Sequence, residues 1–341
     1  MRKLPGFAEL NDLAAGRLMA GSNGFGRVVR FLSTVIDPPK GMLGVDLGAS
    51  SITVAAAFSG ELDLKVFTDI GMGHGLTRIL EETHLEQITR WLPIDIRDDD
   101  VLDYLYNKTL HPATLPVSQE ELAIEQAAAR QALRAAIGRS LPGLPNSAIY
   151  PLPGTVPWFD RILLSGSVLT RAPRPEQSLL IALDAIQPVG IATIILDQNN
   201  LASSLGLIAE INPLMAIQVL ESNSFLNLGT VICPVGRVRK GSPLLRLQMV
   251  REGEKGPVIE VKEGQLLTIP LPVGRAADVY LEPMQNADIG LGPGRGGWVR
   301  RVVGGVFGLV LDARSRPIQI PAAPTLRIEA LQTWEHALAE A

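Results

Sequence analysis

Cysteine occurs once in the 341 residues, at Cys233, which excludes an internal disulfide framework and fits a reducing compartment. Histidine is nearly as scarce: with only His74, His84, His111 and His336, no spacing resembles a zinc site. Charge is sparse as well. Charged residues make up 19% of the chain and the net charge is −4, so there is no general pull toward nucleic acid or anionic membrane, and any basic site must be local. Long apolar runs are missing too, because the most apolar stretch, Leu179 to Leu196, is broken by Asp184, Gln187, Pro188 and Gly190 and cannot span a bilayer. Arg2 and Lys3 are followed by Leu-Pro-Gly-Phe-Ala-Glu rather than an apolar segment, so no signal peptide is visible and the expected location is the cytoplasm. What is abundant is hydrophobic residues at 46%, Gly 33 and Pro 25: a folded, turn-rich chain long enough for two domains.

The stretch from Met42 to Phe58 organises the rest. A nearly apolar strand passes through Asp46, Gly48 and the hydroxyl residues Ser50, Ser51 and Thr53, then resumes as a second strand, with Leu62 to Thr68 as a third. A turn of Gly and Ser lets backbone N–H groups approach an anion, and a carboxylate at the strand end, Asp46, can hold a metal ion through water. The alternative is an ordinary hairpin of a mixed sheet. Gly71-Met72-Gly73-His74-Gly75 then opens a helix to Glu82 and can be a ligand-facing loop through Gly73, or a plain tight connection. Upstream, Asn11 to Ala20 and Arg27 to Ile36 have helical spacing, the second ended by Pro38-Pro39.

Asp98-Asp99-Asp100 is read as a cap meeting a helix dipole rather than a metal site, and Ser118-Gln119-Glu120-Glu121 as the capping box of an Ala-rich helix to about Ile137, where Glu125 can point toward a ligand but is read first as part of a solvated face. The strand from Arg161 runs into a Gly166-Ser167 turn before the helix Pro175 to Ile186, the place where an open α/β sheet puts ligands. Ile191 to Leu196 is the next strand, ending at Asp197, and two helices follow, Leu201 to Glu210 and Pro213 to Leu220. From Leu228 short strands between Gly, Pro and charged turns predict a small β-barrel or sandwich. The flexible loop at Arg295 can clasp an anion or a partner's carboxylates, Val302 to Asp312 reads as a strand, Arg314-Ser315-Arg316-Pro317 as a basic turn, and Leu326 to Leu338 as a closing helix. The expected divisions are a helical lead at 1–40, an α/β domain at 41–227 and a β-rich domain at 228–341.

A resemblance emerges from motifs spread along the chain: Leu4-Pro5-Gly6, Gly44-Val45-Asp46-Leu47-Gly48, Arg90-Trp91-Leu92-Pro93, Asn107-Lys108, Glu125-Gln126-Ala127, Gln187-Pro188-Val189-Gly190, Leu228-Gly229-Thr230-Val231, and Val303 through Pro317. In this order they resemble the MutL (GlmL) family, the actin-like accessory proteins of cobalamin-dependent glutamate mutase. The resemblance implies a ribonuclease-H-like, actin-type α/β fold with the β-rich part added. It also implies ATP with Mg²⁺ as ligand, through Asp46, Gly48, Ser50, Ser51, Thr53, Gly73, Gly166 and Ser167, with Asp46 toward the metal. The implied partner is a cobalamin-dependent mutase, in reactivation or assembly. The chain departs from the family in three ways. No first phosphate hairpin precedes residue 41, so it looks like the family's second half and a partner chain would have to supply the missing lobe. Thr53 stands where the second hairpin has a carboxylate, and Ser167 where the adenosine turn has a second glycine. Two functions remain open, a weak or partner-dependent ATPase and a pseudo-ATPase scaffold. No Gly-x-Ser-x-Gly elbow is present.

Overall fold

The computed structural model describes residues 5–14, 18–35, 40–144, 149–236 and 238–340. Two helices, α1 (Phe7–Leu13) and α2 (Gly21–Val35), precede a meander of β1 (Gly41–Leu47), β2 (Ile52–Phe58) and β3 (Glu61–Phe67). Helices α3 (Leu76–Glu82), α4 (Glu86–Thr89), α5 (Asp98–Leu110) and the long α6 (Gln119–Ser140) follow. Then come β4 (Phe159–Ser165), α7 (Ser167–Thr170), α8 (Pro175–Ile186), β5 (Gly190–Leu196), α9 (Ala202–Ile211) and α10 (Pro213–Leu220). The remainder is β6 (Leu226–Cys233), β7 (Pro243–Arg251), β8 (Glu254–Lys262), β9 (Leu266–Ile269), β10 (Ala276–Pro283), β11 (Gly297–Val303), β12 (Leu309–Asp312) and α11 (Pro324–Ala339).

Eight strands form one mixed sheet in the order β3-β2-β1-β4-β5-β6-β12-β9. Strand β2 is antiparallel to both neighbours, while β1, β4 and β5 run parallel. Side chains alternate across the sheet as strand geometry requires. In β1, Leu43, Val45 and Leu47 join the large core under α6 and α8, whereas Met42 joins the second core under α2 and α9. Beyond residue 228 the large sheet does not stop: β6 pairs with β5, and β12 and β9 extend it. The second sheet, β11-β10-β7-β8, lies over one face of that extension, and Leu245, Leu247, Val279 and Leu281 share a core with Ile232, Leu309 and Leu311.

Several expected boundaries shift, for physical reasons. Helix α1 ends at Leu13, not Ala20, and has no buried residue. Helix α2 begins at Gly21, not Arg27, through a Gly-Ser-Asn-Gly run with weak helix propensity. Tertiary packing overrides that weakness: a Cβ on Gly24 would sit 2.1 Å from Ser203 O, and one on Gly206 1.8 Å from Gly24 O, so α2 and α9 cross backbone on backbone. The Pro38-Pro39 stop and Leu4 of the first motif lie outside the described residues. The strand from Arg161 ends at Ser165, and Val168 and Leu169 are already helical. The single strand expected from Val302 to Asp312 is two, β11 and β12, because Gly304, Gly305 and Gly308 turn the chain between them, Gly308 with φ +61. Helix α6 starts as expected, Ser118 Oγ accepting from Glu121 N at 3.1 Å, while the Glu121 carboxylate accepts from Val117 N at 2.7 Å.

Two charged groups read as solvated are buried instead. Arg314, expected on a basic surface turn, is 1% exposed and lies 4.7 Å from the Trp334 ring centroid. Its guanidinium donates to Asp312 at 2.8 and 2.9 Å and to Asp184 at 2.7 Å; Asp184 also accepts from Arg130, and Asp312 from Arg316. Burial opposes ionisation of Asp312, but Arg314 and Arg316 outweigh it and hold that carboxyl well below the usual range. The network joins α6, α8 and β12. Glu125 is the second such group, and it belongs to the candidate site.

Candidate functional site

The C-terminal ends of parallel strands β1, β4 and β5 lie side by side, the edge at which open α/β sheets bind ligands. Asp46 is opposite Thr53 on β2 and Ser165 on β4. Two residues before it on the same face, a Cβ on Gly44 would run into Val29 and Phe25 of α2, so Asp46 points to the α2 and α9 side. There it meets Asp197. Burial, and then the Asp197 charge, push the Asp46 pKa up. Asp197 is itself fully committed: its oxygens accept from Leu201 N at 2.8 Å, Ala202 N at 2.9 Å and Ser165 Oγ at 3.2 Å, capping α9.

Past Asp46 the chain turns at Gly48, whose N–H donates to Ser51 O at 3.1 Å and whose carbonyl accepts from Met72 N at 3.0 Å. Among the described residues no hydrogen bond engages the N–H groups of Ala49, Ser50 and Ser51. Ser50 is exposed and Ser51 half-buried, so the tip leaves consecutive N–H donors without a protein partner near solvent, one condition of an anion nest. The loop at Gly71–Gly75 supports this tip from behind. A Cβ on Gly71 would come to 2.7 Å from Ala49 O, and one on Gly73 to 3.0 Å from the same atom and 2.9 Å from Pro112. Gly73 is thus buried against the hairpin backbone and does not line the cleft described next, while His74 is exposed. At Gly166, φ is +98 and a Cβ would lie 2.3 Å from Leu47 O, so only glycine lets the β4 turn lie on the end of β1.

On the other face of the sheet, a cleft of about 630 Å³ opens between the hairpin tip, the 112–118 loop, the start of α6 and the α7 turn. Ala49 and Ser167 line it from opposite sides, with Arg171 beyond Ser167. The volume is that of a nucleotide- or drug-sized pocket. Glu125, expected in solvent, is 7% exposed in its wall and accepts from the Tyr104 hydroxyl at 2.5 Å and from Lys108 Nζ at 3.1 Å. Lys108 also donates to Thr114 O and holds the 112–118 loop. Burial, then Glu125, push the Tyr104 hydroxyl far up, so it stays a hydrogen-bond donor. The sequence-expected set therefore divides. Ser167 lines the cleft, Gly48, Ser50 and Ser51 form the tip beside it, Gly73 and Gly166 bring backbones together, and Asp46 with the buried Thr53 faces the opposite side. Asp197, Lys108 and Tyr104 were missed. Asp197 follows the same rule that found Asp46, a carboxylate at a strand end, and Tyr104 and Lys108 sit four apart on one helix face.

Among the described residues no group of three or more His, Cys, Asp and Glu side chains is arranged to hold a metal, and no helix is long and apolar enough to cross a membrane. No curated protein matches the chain. Among solved structures, component A of the (R)-2-hydroxyglutaryl-CoA dehydratase of Acidaminococcus fermentans is similar at 12% identity and a TM-score of 0.31, over 58% of this chain and 71% of that one. A Bacillus thuringiensis ParM hybrid protein with ADP, containing two ParM mutants, is similar at 10% identity and a TM-score of 0.23, over 73% of this chain and 33% of that one. Likeness at these scores does not identify a fold. The family model described as MutL protein, in contrast, matches residues 1–224, about two-thirds of the 341 and the whole of the hairpin, cleft and Gly166 turn, and the chain belongs to the MutL protein family.

Proposed function

We propose that this protein is an actin-like accessory protein that binds ATP and serves a cobalamin-dependent mutase in its reactivation or assembly. The observation that carries nucleotide binding is the convergence of three glycine-dependent backbone segments on one end of the cleft. They are the Gly48 tip, the Gly71–Gly75 support and the Gly166 turn, with consecutive N–H donors left at the tip. The order β3-β2-β1-β4-β5, with β2 antiparallel, is the order expected of a ribonuclease-H-like core and supports the actin-like reading. In this reading the nucleoside lies in the cleft beside Ser167 and Arg171, and the phosphates meet the N–H groups of Ala49, Ser50 and Ser51. Mg²⁺ would neutralise phosphate charge, and Asp46, at the end of β1 but facing the α2 and α9 side, would reach it only through water around the strand end. Leu115 and Val117 line the cleft and are 73% and 88% exposed, which supports a protein partner closing over its mouth.

A second reading, a binding module without turnover, is favoured by a specific feature. Thr53 is 3% exposed in β2 at the position of the family's second carboxylate, and Asp197 is spent on capping α9. That leaves Asp46 for metal, and Glu125, the carboxylate in the cleft wall, is taken up by Tyr104 and Lys108. Calorimetric titration of ATP with Mg²⁺ into the protein and into Asp46→Ala, with phosphate release followed alongside, tests both. Binding weakened about tenfold or more in the variant is expected. Heat that is equal in both proteins would move the nucleotide away from Asp46, and no heat at all would sink nucleotide binding by this chain alone. Binding without phosphate release would favour the second reading.

A further inference from the structure

An exposed apolar stretch stands at the mouth of the cleft. Leu110, at the end of α5, is 72% exposed, and Leu115 and Val117 in the loop after it are more exposed still. Apolar side chains gathered this way and bordered by polar groups mark a contact with another molecule. Beside the stretch, between α5 and the start of α6, runs a groove of about 580 Å³ that lies outside the cleft. The two are continuous. Asp103, Asn107 and Leu110 follow one face of α5 at helical spacing, the first two in the groove wall, and Ser118, next to Val117, lines both groove and cleft.

The groove says what charge the other molecule carries there. Its walls hold five carboxylates, Asp95, Asp100, Asp103, Glu120 and Glu121, and one cation, Arg97, which is spent on Asp100 at 2.8 and 2.9 Å. The surplus of four negative charges equals that of the whole chain. Helix dipoles account for Asp100, Glu120 and Glu121, which sit in first turns, but not for Asp95, which precedes α5, or Asp103, which lies past its first turn. Among the described residues no ion pair includes Asp95, Asp103 or Glu120. A groove lined by one sign of charge focuses its field on the opposite sign. Nucleic acid is repelled by it, and so is a second copy of this chain laid groove to groove. No group of three or more carboxylates among the described residues is arranged to hold a metal.

We propose that the apolar 110–117 stretch and the groove form one docking surface for a protein segment that is basic along the groove and apolar at one end. The inference rests on the reading of a protein partner at the cleft mouth and supplies that partner's chemistry. Lys108 pairs with Glu125 in the cleft wall and also donates to Thr114 O, so the docked segment lies against the loop that walls the cleft.

The test titrates the full chain into a fluorescent synthetic amphipathic helix of leucine and lysine, read by anisotropy, with the same peptide carrying glutamate for lysine as comparator. Saturable binding of the lysine peptide alone, weakening as salt rises, is expected. Asp103→Asn combined with Glu120→Gln should weaken it about tenfold or more, and so, separately, should Leu110→Ser. All three side chains are exposed, and circular dichroism reports that the variants fold. Neither variant touches a residue that lines the cleft, so calorimetric titration of ATP should be the same in both as in the unaltered chain. Peptide binding that obeys the variants supports the surface whether or not ATP gives heat, so this inference and the nucleotide reading fail separately. Equal affinity for the two peptides, or for folded variants and the unaltered chain, overturns the proposal. So does weakening by the acidic variant with none from Leu110→Ser, which would make the groove a plain cation surface.

Discussion

Asp46 sits where burial and the neighbouring Asp197 charge both oppose its ionisation, so the fold carries it at a cost. A carboxyl whose pKa is higher folded than unfolded lends full stability below its unfolded value, near about 3.9, and loses it as pH rises through the folded value. Replacing it with Asn removes that loss. Asp46→Asn is therefore expected to raise the melting temperature at pH 7 by roughly 2 °C, the scale of a ~1 kcal/mol gain in a chain of this size, and the gain should vanish in melts below about pH 4. A variant less stable at pH 7 would mean that Asp46 makes a favourable contact as an anion. Asp46, Gly48 and Gly166 were legible in the sequence because a strand that ends in a carboxylate or glycine is a local pattern. Glu125 was not: a charge on a helix defaults to solvent, and its partners Lys108 and Tyr104 are 17 and 21 residues away. Arg314 was misread for the same reason, its partner Asp184 lying 130 residues distant.

At the scale of the element, the crossing of α2 and α9 fixes how closely α2 lies on β1 and β2, and so how the face bearing Asp46 is covered. Gly24→Ala would place a methyl 2.1 Å from Ser203 O, backbone that cannot swing aside. Ala has the better helix propensity, by about 1 kcal/mol, but overpacking costs about 1–3 kcal/mol, and in a contact this short the clash wins. Urea denaturation should show a net loss of up to about 2 kcal/mol for Gly24→Ala, while Asn23→Ala, exposed on the next position, stays within about 0.5 kcal/mol. A stabilised Gly24→Ala would mean the helices can separate freely. The α6 start was readable because its Ser118 cap is a local hydrogen bond. The start of α2 was not, since its glycines mark a tertiary contact rather than a turn. The division of Val302–Asp312 into two strands had a visible sign in Gly304-Gly305, passed over in favour of the apolar run around it.

Across the whole molecule, the alternation of strands and helices between residues 161 and 221 indicated parallel α/β architecture, and β4 and β5 are parallel as that pattern requires. The continuation of the same sheet through β6, β12 and β9 was hidden. It rests on β12 pairing with β6, Leu309 opposite Thr230, and no local spacing encodes so distant a partner. The buried ion pairs fasten this extension to α6 and α8. Arg314→Ala leaves Asp184 and Asp312 short of a partner, and breaking a buried pair typically costs about 3–5 kcal/mol. Guanidinium denaturation should register a loss of that size, and a loss under about 1 kcal/mol would mean the network relaxes around the deletion.

The distance along the chain between Asp184 and Arg314 also has a consequence for biosynthesis. At roughly 5–20 residues per second, a ribosome needs on the order of 10 s to add the 130 residues that separate them. For that interval the nascent α/β half holds Asp184 without its second guanidinium, and for the later part of it, once β6 is made, β6 lacks β12 along its outer side, an unpaired strand edge open to chaperones or to another nascent copy.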